Sequence, residues 1–106
     1  MIILKSKLGE KLRELRKFKN ETLNNVSEKL GIDLTLLSKI ERGERLPTND
    51  QLEKLSIYYS CELLELKTIL VAEKIIKEYG LSEETQNAIS IVCDQLEKYI
   101  KPNEKI

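Results

Sequence analysis

Five side chains between positions 34 and 42 are of types that suit contact with a polyanion: Leu34, Thr35, Ser38, Lys39 and Arg42. With Leu37 and Ile40 on the buried face of a helix, 100° per residue turns Thr35, Ser38, Lys39 and Arg42 to the opposite side. Leu34 falls at that side's edge. Short hydroxyls and a long cationic donor on one exposed face can hydrogen-bond base edges, and a leucine there can pack on a thymine methyl. The same pattern also fits an ordinary amphipathic surface helix, in which Leu34 and Leu36 only widen the apolar stripe. Asp33, just ahead, carries a negative charge and suits a backbone cap rather than a base contact.

Little else in the chain offers chemistry. Its 106 residues include no His, and the two cysteines, Cys61 and Cys93, lie in separate segments without a Cys-x-x-Cys spacing. A zinc site or a Cys–His pair therefore lacks its parts, and the thiols read as buried or half-buried groups in a reducing compartment. There is no nucleophile elbow and no glycine-rich phosphate loop, and the carboxylates are scattered at surface-helix spacing. The expectation is no catalysis, no metal and no cofactor. No apolar stretch is long enough to span a bilayer, and Met1 to Leu4 is too short for a signal-peptide core. A cytoplasmic protein with no membrane partner is expected.

The elements that must position residues 34–42 are all helical. A chain with 34% charged residues, rich in Glu and Lys, with four Gly and two Pro, favours helix over sheet or disorder. Leu8, Leu12 and Leu15 recur at helical spacing between Lys5 and Lys19. Thr22 caps a segment from Leu23 to Leu30, with Val26 and Leu30 inward. Gly31 makes a turn, Asp33 caps the next helix, and Gly43 ends it near Arg42. Thr48 and Gln51 form a capping-box pattern ahead of the stripe Leu52, Leu55 and Tyr59. A fifth segment runs from Glu62 to Tyr79 before Gly80. Ser82 caps a sixth, with Glu83 and Glu84 in its first turn, which is expected to end before Pro102.

Charge is divided along the chain although the total is zero. Residues 1–46 carry eleven Lys/Arg against seven Asp/Glu, a net of +4, and residues 47–106 carry the reverse, a net of −4. A duplex responds to the field within a Debye length, about 8 Å at physiological salt, so the basic half can face phosphates.

Four motifs in order now carry a resemblance. Leu12-Arg13-Glu14-Leu15-Arg16, Val26-Ser27-Glu28-Lys29-Leu30-Gly31-Ile32, Leu37-Ser38-Lys39-Ile40-Glu41-Arg42-Gly43, and Pro47 with Leu52 and Leu55 are similar to the phage-repressor (Cro/repressor, XRE) helix-turn-helix family over about residues 8–66. The resemblance implies a five-helix domain whose second and third helices form the helix-turn-helix. It implies that Arg16 pairs with Glu41, that Gly31 makes the tight turn, and that Ile32 plugs it. It further implies that Leu34, Thr35, Ser38 and Lys39 face bases, while Arg42, the Gly43 backbone and Arg45 face phosphates. Many members carry Gln near the start of the second helix, where it contacts phosphate. Here Leu23 stands in that place, which leaves the role to Thr22, Asn24 and the free N–H groups of the helix start.

Residues 67–106 form a C-terminal helical extension. Leu63, Leu66, Ile69, Leu70, Ile75 and Ile76, then Ala88, Ile89, Ile91, Val92, Leu96, Tyr99 and Ile100, make two stripes wider than one packing face needs. A helical hairpin that packs on itself and on a second copy is expected, although the same stripes can also enlarge the monomer's own core. The functional expectation is a sequence-specific regulator of transcription that binds a short palindromic operator on double-stranded DNA as a homodimer. The alternative is a protein-interaction module, such as an antitoxin whose C-terminal helices bind a partner protein.

Overall fold

Six helices follow one another in the computed structural model of the chain, which describes residues 7–104 and the side chains of residues 7–100. They are α1 (Lys7–Phe18), α2 (Leu23–Leu30), α3 (Leu34–Glu41), α4 (Asn49–Tyr59), α5 (Leu63–Tyr79) and α6 (Glu83–Glu104). The architecture is all-helical, as the composition implies, with no strand among the described residues. Met1 to Leu4 and the expected start of the first helix at Lys5 lie outside the described residues.

Local chemistry sets the helix ends. The Thr22 hydroxyl accepts from the Asn25 N–H at 3.1 Å, and the Asp33 carboxylate accepts from the Leu36 N–H at 3.1 Å. Thr48 and Gln51 complete a reciprocal capping box, with bonds of 3.1 and 2.9 Å. Gly31 (φ 68°) and Gly43 (φ 81°) supply the left-handed residues that end α2 and α3. One boundary differs from expectation. Rather than ending before Pro102, α6 continues to Glu104, past a proline that removes the backbone bond to the carbonyl four residues back.

The chain divides into two compact units, the first ending at Lys74 and the second beginning at Ile75. The core of the first unit is built from Leu8, Leu12, Val26, Ile32, Leu37, Ile40, Leu52, Leu55, Tyr59, Leu66 and Leu70. The chain's one phenylalanine takes no part in it: Phe18 is 90% exposed at the end of α1. Core packing continues past Leu66 to Leu70, so the first turns of α5 help hold the earlier helices. A cross-link of another kind reaches further, since Glu73 Oε2 accepts the Leu8 N–H at 3.0 Å and so satisfies a donor in the first turn of α1.

Tyr59 is buried with its hydroxyl unpaired. Burial, and then the nearby Glu41 carboxylate, push its ionisation above the ordinary tyrosine range. The folded protein holds this proton where the unfolded chain loses it, so the associated stability is present below about pH 10 and lost progressively above it. Tyr59→Phe removes a buried polar group without a partner and should stabilise the fold by about 1 kcal/mol at neutral pH. The gain over wild type should widen above pH 10. Urea unfolding at pH 7 and at pH 10.5 checks both.

In the second unit, no described side chain of α6 is buried. Ile89, Val92, Leu96 and Tyr99 recur at spacings of three and four along it, all exposed. Within one chain the expected apolar stripe is therefore open to solvent.

Candidate nucleic-acid interface

The segment from α2 to α3 is fixed from beneath. Gly31 donates its N–H to the Ser27 carbonyl at 2.9 Å, Ile32 donates to the same carbonyl at 3.2 Å, and the Ser27 hydroxyl donates to the Ile32 carbonyl. Ile32 itself is buried below the turn. Lys54 on α4 donates to the Leu30 carbonyl at 3.3 Å, placing a cation at the negative end of α2.

The inner side of α3 is secured to α1 at two points. Leu37, Ile40 and Glu41 are buried. Arg16 Nε and Nη2 donate to Glu41 Oε2 and Oε1 at 2.8 and 3.0 Å, a bidentate pair, and Nη1 donates to the Glu21 carbonyl at 2.9 Å. The hydrogen bond that Arg16 donates to Glu41 raises the Arg16 ionisation further above its already high range. At Gly9 the two backbones nearly touch: a Cβ there would lie 2.5 Å from the Glu41 carbonyl oxygen and 2.6 Å from that of Ile40.

The outer side faces solvent. Leu34, Thr35, Arg42, Gly43 and Arg45 are exposed, and Ser38 and Lys39 are half-buried. Leu34 sits at the rim with 39% of its surface accessible, whereas Leu36 packs partly against the core. Lys39 and Arg45 carry no ion pair among the described residues. Thr22 and Asn24 are exposed at the start of α2, where the first N–H groups precede any intrahelical bond. Leu23 turns partly into the core instead.

This geometry, a capped pair of short helices joined by a glycine turn, coincides with a match to known proteins. A family model described as a helix-turn-helix domain matches residues 9–87. The chain belongs to the phage-repressor type of helix-turn-helix transcriptional regulators. This helix-turn-helix chain is 32% identical over 99 residues to the cryptic phage CTXphi transcriptional repressor RstR of Vibrio cholerae, covering 85% of the chain and 87% of that protein. It is also 42% identical over 40 residues to the uncharacterized HTH-type transcriptional regulator YazB of Bacillus subtilis, covering 38% of the chain and 58% of that protein. No solved structure matches.

Three features of the helix-turn-helix unit go beyond the sequence reading, although the spacing of four allows the first. Arg42 and Ser38, one expected at phosphate and the other at bases, are hydrogen-bonded to each other. Glu44 pairs with Arg42 at 2.8 Å, a contact two residues apart that no helical face predicts. On the flank, Lys19 and Lys29 lie over the Tyr58 ring, 4.9 and 5.8 Å from its centre, and Lys29 pairs with Glu21 at 3.7 Å. Among the described residues no helix is long and apolar enough to cross a membrane.

Proposed function

We propose that this regulator binds a short palindromic operator as a homodimer and controls transcription by occupying a promoter. The observation that carries the reading is the outer side of α3. Its inner side is locked by Leu37, Ile40 and Glu41, which leaves Leu34, Thr35, Ser38 and Lys39 outward for base edges. Thr22, Asn24, Arg42, the Gly43 backbone and Arg45 flank them as phosphate contacts. The uncovered stripe of Ile89, Val92, Leu96 and Tyr99 favours a second copy, which would present two α3 helices to half-sites about one DNA turn apart. The name of the Vibrio cholerae relative supports repression as the sign of control.

Selection from random duplexes, followed by titration at several salt concentrations, tests the reading. An enriched palindrome bound in a salt-dependent way supports it; no enrichment, or affinity independent of salt, overturns it. Lys39→Ala should mainly erase discrimination between the selected site and its variants, by about 1–3 kcal/mol. Arg45→Ala should weaken binding to all sequences alike and flatten the salt slope by about one unit. The same titrations read both. Sedimentation of a micromolar solution tests the dimer, and a monomer there would overturn it and favour a foreign partner for α6.

A further inference from the structure

Arg42 stands among residues proposed to grip phosphate, yet its guanidinium is already occupied. Nε donates to Glu44 Oε2 at 2.8 Å and Nη2 to Oε1 at 3.2 Å, while Nη1 donates to the Ser38 hydroxyl. Glu44 is brought to this place by the backbone: Gly43 leaves the helix at φ 81°, and the Glu44 N–H returns to the Lys39 carbonyl at 2.9 Å. The hydrogen bond from Arg42 holds the Glu44 carboxyl below the usual carboxylate range, so it is ionised at neutral pH. Lys39 adds to the positive field at Glu44, but among the described residues neither it nor Arg45 has such a hydrogen-bonded carboxylate partner.

We propose that Glu44 is a positioning residue for DNA recognition, which withholds the Arg42 charge from phosphates and holds Arg42 on Ser38. The proposal rests on the DNA-binding reading above. Non-specific affinity is almost wholly electrostatic, arising from counterions released as Lys and Arg meet phosphates. An arginine neutralised by its own carboxylate contributes less to it. A serine hydroxyl that accepts from Arg42 keeps its proton to offer a base acceptor. Glu44 thus lowers affinity for any duplex while setting the hydroxyl that discriminates among them.

The experiment titrates wild type, Glu44→Gln, Arg42→Gln and the double variant on the selected operator and on a random duplex, at 50 to 200 mM salt. Glu44 is exposed and outside the core, and thermal melts check that each of the four proteins is folded before it is titrated. Freeing Arg42 from a surface ion pair should tighten Glu44→Gln on random duplex by roughly two- to fivefold. Its salt slope should steepen by up to one unit, so that the fourfold rise in salt weakens it by as much as about fourfold more than wild type. The ratio of operator to random affinity should fall. In the Arg42→Gln background, the effect of removing Glu44 should shrink by at least half. Equal slopes for wild type and Glu44→Gln would overturn the proposal, as would an undiminished effect without Arg42, which would mean that the carboxylate repels DNA directly. If wild type itself binds no duplex, the DNA reading falls first and this role with it. Salt-dependent binding by wild type with no change in Glu44→Gln removes only the role of Glu44.

Discussion

Glu41→Ala should destabilise the protein by about 3 kcal/mol, the range for removing one partner of a buried ion pair. The Glu41 side chain is 5% exposed and that of Arg16 is 12% exposed, so the cation left behind has little water to turn to. The pair also closes a circuit. Arg16 holds α1, the turn after it through the Glu21 carbonyl, and the end of α3 through both Glu41 oxygens. Without Glu41 the last turn of α3 loses its tie to α1, and Arg42 with Gly43 loses its fixed position. Chemical unfolding of wild type and variant gives the loss directly. A change below about 1 kcal/mol would mean that the pair behaves as an exposed one.

Gly9→Ala should cost about as much, near 3 kcal/mol, the upper end for overpacking. In an ordinary helix this substitution is favourable by up to about 1 kcal/mol, because alanine loses less backbone freedom on folding. Here the new methyl would meet the carbonyl oxygens of Glu41 and Ile40 at 2.5 and 2.6 Å. Backbone atoms cannot swing aside as a flexible side chain does, so α1 and α3 must part. The Arg16–Glu41 bonds, at 2.8 and 3.0 Å, leave no slack for that movement. A lower melting temperature together with weaker operator binding is expected. A variant as stable as wild type would show that the two helices tolerate separation.

The helices and the outward side of α3 were legible because local rules decide them. The caps at Thr22, Asp33 and Thr48 and the left-handed Gly31 and Gly43 depend on neighbours within a few residues, and each is found where its type suggests. The periodicity that put Leu37 and Ile40 inward also turned Thr35 and Arg42 outward. The Arg16–Glu41 pair is 25 residues apart in sequence, beyond any periodicity, and it came from family resemblance.

The structure supplied what depends on distant or irregular backbone. Gly9 sits among the polar and charged residues of α1 with no mark of its role, because the requirement comes from the carbonyls of another helix. Glu73 reaching the Leu8 N–H spans 65 residues, and Lys54 reaching the Leu30 carbonyl spans 24. Phe18 carries the composition of a core residue but ends its helix in solvent.

By itself, then, the sequence determined the helices, their ends and the outward side of α3, since those follow from propensity, capping and a 3.6-residue period. Only the tertiary structure decided how closely α1 approaches α3 and which charge Arg42 already serves. The first is a distance between two backbones. The second exists because Gly43 turns the chain out of the helix and sets Glu44 beside a residue it could not face within one.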